Sequence, residues 1–315
     1  MPNELTKQKY QVRNWKEYNQ SLVNRGKITL WIGDEAIQHW TPQRVEKKSG
    51  RPFQYSQVAI EAALTVRYAL NLPLRATEGF LTSIFSLLQL QLSVPDYTLL
   101  CKRGKEAPKP KESKQVTDIV IDSSGVKVFG EGEWKVKQHG KAKRRKWRKF
   151  HIGLDPKTGE VVVHEATKSE IHDNEVGCRL INRLEKVKNV YGDGAYDTEM
   201  LYKAVAAKDG KVVVPPRRGA VVDGKLKATS PLLARNHAIL EILGLGGDDK
   251  ARSIWKKLKG YHIRSLVETW FSRFKRMLGS SLRSHSEVSQ DAELGYKVKI
   301  MNKLTAVGMP ISCRV

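Results

Sequence analysis

Six side chains in this 315-residue sequence have the types and spacing for chemistry on a phosphate ester. Four of them lie in residues 260–279, a stretch with a glycine at each end and neither glycine nor proline between, so it reads as one helix. On a wheel of about 100° per residue, Leu266, Val267, Trp270, Phe271, Phe274, Met277 and Leu278 fill an apolar arc of about 140°. Tyr261, Arg264, Glu268 and Lys275 lie within about 60° of one another on a stripe bordering that arc. The other two are Asp122 and Asp193, each at the end of a short strand-like run. Three carboxylates gathered in one place repel one another unless cations neutralise them. Hard oxygen ligands select Mg²⁺, with Mn²⁺ as a substitute, over zinc. Two such ions about 3.5–4 Å apart activate an attacking oxygen and stabilise a leaving one in phosphodiester chemistry. Arg264 and Lys275 suit phosphate binding beside the metals, and Tyr261 suits a hydrogen bond to phosphate or backbone. The bland alternatives are a solvated helix edge for the stripe and turn residues for the two aspartates.

The flanking elements decide between these readings. Residues 116–121 alternate as a strand that ends at Asp122-Ser123-Ser124-Gly125, and 126–130 reads as the return strand. Residues 150–154 and 160–164 flank Asp155-Pro156-Lys157-Thr158-Gly159 as a second hairpin. A helix capped by Asp173 or Asn174, a buried strand at 189–192, a helix at 198–208 and a strand at 211–214 follow. Residues 217–259 interrupt this pattern before the late helix and read as an insertion, with a helix at 230–243 and more basic surface at Arg252, Lys256, Lys257 and Lys259. A last amphipathic helix fits 291–306. A mixed α/β sheet with helices on both faces packs this order. It is also the order of an RNase H-like fold, in which acids at the ends of the first and fourth strands and on a late helix converge. Asp122, Asp193 and Glu268 hold those positions.

Upstream, residues 1–55 are basic and irregular, with Trp15, Tyr18, Trp31 and Trp40 interspersed. Aromatics among cations can stack on bases; the commoner role is to anchor a small core. Three helices follow, at 57–70 behind Ser56, from Pro73 to about residue 90, and at 95–103. Their tight turns and basic end fit a helix-turn-helix-like DNA-binding region over about 55–104, with Tyr97, Lys102 and Arg103 as DNA contacts. A Pro- and charge-rich linker at 105–115 separates this 1–104 region from a catalytic domain at 116–315. The densest basic run, 134–149, follows the first aspartate and carries Lys143, Arg144, Arg145, Lys146, Arg148 and Lys149, which read as phosphate contacts beside the site. The bland reading is a solvated loop.

The formal net charge is +23, from 56 Lys and Arg against 33 Asp and Glu. A charge of that size attracts polyanions, with nucleic acid as the first expectation. No apolar run reaches the roughly 18 residues of a membrane span, so no membrane partner is expected. The N-terminus lacks the apolar core of a signal peptide, and the three separated cysteines form no Cys-x2-Cys pair. A cytoplasmic location is the expectation.

On these residues the sequence resembles the DDE transposases of bacterial insertion sequences, closest to the insertion-sequence-five type. The late motif is Tyr261, Arg264, Glu268 and Lys275 with all three spacings matched. The second-aspartate motif is Asp193-Gly194-Ala195-Tyr196-Asp197, and the first is Ile121-Asp122-Ser123-Ser124-Gly125. Pro95-Asp96-Tyr97-Thr98-Leu99 is similar to the end of the family's N-terminal helical region. The resemblance implies that Asp122, Asp193 and Glu268 bind two Mg²⁺ ions and cleave double-stranded DNA at terminal inverted repeats. The freed 3′-OH then joins target DNA, with no covalent protein–DNA intermediate. Pairing two ends argues for a dimer during reaction. The alternatives are a related nuclease or resolvase without strand transfer, and an inactive, transposase-derived repressor.

Overall fold

A computed structural model describes residues 10–42, 53–106, 108, 115–128 and 147–314. The chain divides into two units: Met1–Gly104 together with Lys299–Val315, and Lys105–Val298. The predicted linker lies mostly outside the described residues.

The first unit contains β1 (Tyr10–Val12), α1 (Trp15–Asn24), α2 (Asp34–Gln38), α3 (Gln57–Ala69), α4 (Leu74–Leu87) and α5 (Tyr97–Arg103). Helix α3 is its centre, with Ala59, Ile60, Ala63, Leu64 and Val66 wholly buried. Ser56 caps it by accepting from the Ala59 N–H at 3.1 Å. Asp96 caps α5 by accepting from the Thr98 and Leu99 N–H groups. Trp31 and Trp40 are core anchors: both are buried, and the Trp40 indole donates to the Ser93 carbonyl at 2.8 Å. Trp15 is exposed.

The C-terminal segment corrects the expected boundary. Strand β8 (Ser312–Arg314) pairs antiparallel with β1, Lys303 donates to the Leu30 carbonyl at 2.9 Å, and Lys299 pairs with Glu61 at 2.5 Å. These contacts tie residues 299–315 to the first unit rather than to the catalytic domain.

The second unit is organised on one long strand, β2 (Gln115–Val128). Next come β3 (Trp147–Leu154), β4 (Val161–Lys168), α6 (Asp173–Asn182), β5 (Lys186–Tyr191), α7 (Glu199–Ala206) and β6 (Lys211–Val213). Then follow α8 (Leu233–Gly244), α9 (Asp249–Leu258), α10 (Ser265–Leu278), β7 (Ser281–Leu282) and α11 (Glu287–Val307), whose residues from Lys299 belong to the first unit. Among the described residues the sheet is six-stranded, ordered β4-β3-β2-β5-β6, with β7 beside the end of β2. Strand β3 runs antiparallel to β2 and β4, and β5 and β6 run parallel to β2. This is the RNase H-like arrangement.

Asp122-Ser123-Ser124-Gly125 is not a turn. Strand β2 continues through it, with Asp122 opposite Ile152 and Gly125 opposite Lys149. Pairing with β3 overrides the turn chemistry of this Ser-Gly sequence. Gly125 has a reason to lack a side chain, since a Cβ there would sit 3.3 Å from the Trp147 ring. Alternation along β2 sends Ile119 and Ile121 to one face and Asp122 and Ser124 to the other. The first face packs with Ile181, Leu184, Leu201 and Val205 of the α6–α7 side. On the second, Phe150 of β3 meets Trp270, Phe271 and Phe274 of α10, the last with ring centroids 5.6 Å apart. Each such aromatic, once buried, stabilises the packing by about 1.5–3 kcal/mol.

Candidate active site

Residues 260–279 form two pieces, a 3-10 turn at Tyr261–Arg264 and α10. Gly260 (φ +63°) and Gly279 (φ +80°) bracket them in conformations that suit glycine. The buried face is narrower than the wheel suggests: Val267, Trp270, Phe271 and Phe274 are buried, while Leu266 and Met277 are each 41% exposed. Glu268 lies one turn from Arg264 and projects over the face of β2 that carries Asp122.

Arg264 joins the two acids. Its Nη2 donates to Asp122 Oδ2 at 3.2 Å, and its Nη1 pairs with Glu268 Oε1. The other Asp122 oxygen accepts from the Ser123 N–H at 2.8 Å. Asp193 lies two residues past the end of β5, the parallel neighbour of β2. Its Oδ1 accepts from the Ala195 N–H at 2.9 Å and caps the 3-10 turn Gly194–Tyr196. Burial pushes the Asp122 carboxyl up; the Ser123 N–H and Arg264 pull it down, and the charges of Asp193 and Glu268 push it up again. Asp122 therefore feels both of the other carboxylates. Burial opposes the Arg264 charge, but Asp122, Tyr261 and Glu268 outweigh it and its pKa is raised. Burial pushes the Tyr261 phenol up to about 12, and its hydroxyl donates to the Gly192 carbonyl at 3.0 Å. Tyr261 thus ties the late motif to the loop that holds Asp193. Lys275 donates to Ser124 Oγ at 2.6 Å, one residue pair along β2 from Asp122.

Among the described residues no group of three His, Cys, Asp or Glu is closed up enough to hold an ion as it stands. Arg264 occupies the gap between Asp122 and Glu268 and supplies the positive charge there. The donors are all carboxylate oxygens under mutual repulsion, a set that fits hard divalent cations.

The remaining predicted contacts divide. Arg148 is not a surface cation: it is 8% exposed, pairs with Asp291 at 2.8 Å and donates to the Ala166 carbonyl. Lys149 points into the protein, to the Ile171 carbonyl at 2.9 Å and Asp173 at 3.3 Å. Alternation along β3 sends Arg148 to one face of the sheet and Lys149 to the other, and on each face carbonyls and acids satisfy the cation. Arg103 is spent on the Tyr55 carbonyl at 2.7 Å and Gln57 at 2.8 Å. Lys102 is exposed, and Tyr97 is partly exposed beneath the Arg75 guanidinium, 4.8 Å from its ring centre. Lys143, Arg144, Arg145 and Lys146 lie outside the described residues.

Two supports escaped sequence reasoning. Asp197, buried at the end of the second-aspartate motif, accepts from Arg235 Nε at 2.9 Å and the Arg217 N–H at 3.0 Å, so it fastens the insertion behind Asp193. A second acid four residues after the first was its only signal. Tyr196 is buried between Gly177 and Gly192, where an added Cβ would come within 2.8 and 2.9 Å of its ring.

Residues 114–302 match the family described as Transposase DDE domain, and residues 23–131 match a second family of that description. A solved cryo-EM structure of a piggyBac transposase synaptic complex with hairpin DNA aligns over 90% of this chain and 81% of that one, at 11% identity and a TM-score of 0.27. A likeness of that size adds no argument about the fold. The first match spans more than half of the sequence and takes in all three carboxylates, and on that ground the chain belongs to the DDE transposase family.

Proposed function

We propose that this transposase binds the terminal inverted repeats of an insertion sequence, cuts at their ends and joins the freed 3′-OH to target DNA. The observation that carries the reading is Arg264, bonded at once to Glu268 and to Asp122, 142 residues away in sequence. Asp122, Asp193 and Glu268 would hold two Mg²⁺ ions. When bound, these supply charge neutralisation at the attacking and leaving oxygens. In cutting, a water oxygen bonds to phosphorus and the 3′-oxygen leaves. In joining, that 3′-OH attacks a target phosphate and displaces a second 3′-oxygen, so one ester bond replaces another. Asp122 is fixed by strand pairing. Arg264 and Lys275 put two cations beside the reacting phosphate. Tyr261 orients the Asp193 loop rather than touching DNA. The N-terminal helical region, with Tyr97 and Lys102, reads the repeat, and two copies act on paired ends.

The test is a plasmid carrying the DNA that flanks the gene, incubated with protein and Mg²⁺. Asp122→Asn, Asp193→Asn and Glu268→Gln should each abolish cutting and joining while end binding persists. Any one of them that stays active removes its residue from the site. Cutting without joining reduces the reading to a nuclease.

A further inference from the structure

A cavity of about 370 Å³ opens beside the carboxylate cluster, between the loop after β6 and helix α9. It shares a wall with the site, because Gly194, next to Asp193, lines it. Lys256, also on its wall, holds its ammonium 5.4 Å from the centre of the Tyr261 ring. The buried prolines Pro215 and Pro216 contribute an apolar side. Four cations, Arg217, Arg218, Arg252 and Lys256, face one carboxylate, Asp249.

Three of the cations are partly engaged. Arg217 reaches the Gly194 and Ala195 carbonyls at 3.3 and 3.4 Å, and Arg252 donates to the Pro216 carbonyl. These contacts shape the wall. Arg218 pairs with Asp249 at 3.0 Å, but both side chains are more than 70% exposed, so the pair is weak and open to exchange. A phosphate entering here would gain Arg218 and Lys256 as charge-assisted donors. The volume sits at the lower end of the about 300–1,000 Å³ range of ligand sites, room for one nucleotide unit and not for a duplex.

We propose that this cavity is an anion site for one nucleotide unit of a DNA strand passing the carboxylate cluster, its phosphate held by Arg218 and Lys256 and its sugar against Pro215 and Pro216. The insertion would then hold the strand next to the reacting phosphate. The identity of the strand rests on the transposase reading; the anion site does not.

The probe is thymidine 3′,5′-bisphosphate, titrated calorimetrically into the full-length protein without metal. Arg218→Gln combined with Lys256→Gln should weaken binding about tenfold or more, since two charge-assisted contacts are lost. Ser253→Glu, which adds a carboxylate to the exposed wall without removing a contact, should do the same. Lys16→Gln, on α1, should bind as the unaltered protein does. Undetectable binding by the unaltered protein overturns the proposal, as does unchanged affinity in both wall variants or an equal loss in Lys16→Gln. Because no cleavage is measured, a failed transposase reading leaves this result standing, and a failed cavity leaves the three carboxylates untouched.

Discussion

Asp122 and Glu268 meet through one guanidinium but are held in opposite ways. Asp122 sits inside a strand, its side chain 15% exposed and its neighbours fixed by pairing with β3. Glu268 stands on a helix, 56% exposed, and reaches the strand only through Arg264, so the helix sets the height of its backbone above the sheet. The strand supplies position and carries the electrostatic cost of burial. The helix carries little of that cost but depends on remote aromatics for its register. A cluster of acids tolerates repulsion when one member is immovable and another remains close to water.

Three measurements press on this contrast. The largest effect should come from Phe274→Ala, which removes the ring stacked 5.2 Å from Trp270 and packed on Phe150. A loss of about 3–5 kcal/mol is expected, read as a lower urea midpoint. Cleavage should fall in conditions where the protein is still folded, because Glu268 shifts while Asp122 does not; unchanged activity in the folded variant would show that α10 does not depend on that anchor.

The sheet side has its own acid weakness. His151 of β3 is fully buried against Thr167, and burial lowers its pKa from 6.5 to about 4. The folded value lies below the unfolded one, so its contribution is present above about pH 6.5 and is lost as the pH falls towards 4. The loss is on the order of 3 kcal/mol. His151→Gln should make the fall of the urea midpoint across that window shallower while the share of His164, whose pKa burial also lowers to about 4, remains; an unaltered slope would assign acid unfolding to other groups.

The smallest effect separates the two acids directly. Asp122 has a raised pKa, so its ionisation costs stability as the pH climbs through the folded value. Asp122→Asn should therefore be the more stable protein at neutral pH, with the advantage vanishing below the ordinary carboxylate range. Glu268→Gln, at an exposed helix position, should stay within about 0.5 kcal/mol of the parent at neutral pH. Equal behaviour of the two variants in thermal melts would erase the distinction between strand-held and helix-held acid.

Much of this site was legible in the sequence because it rests on local chemistry. Ser56 announced its helix through a side chain that suits a cap, and the glycines at 260 and 279 marked the bounds of the late motif; the helix expected at 95–103 starts at Tyr97, with Asp96 as its cap. The residues that failed were those whose meaning depends on a partner far along the chain. Asp-Ser-Ser-Gly has turn chemistry, and only β3 on its flank keeps it extended. Arg148 and Lys149 read as surface charge, yet their carbonyl and acidic partners come from β4, the segment before α6, and α11. Helix α9 was hidden because only Ala251 and Trp255 are buried along it among many cations.

The pairing of β1 with β8 has a consequence for how the molecule is made. Every residue of the second unit has been added to the chain before residues 299–315 are translated. Domains fold as units during synthesis, usually from the N-terminus. Here the helical unit precedes the second unit but receives the partner of β1 and the lysine that meets Glu61 only after it. A gene copy truncated shortly before codon 299 would still encode all three carboxylates, yet it would leave the helical unit, proposed here to read the repeat, without its closing segment.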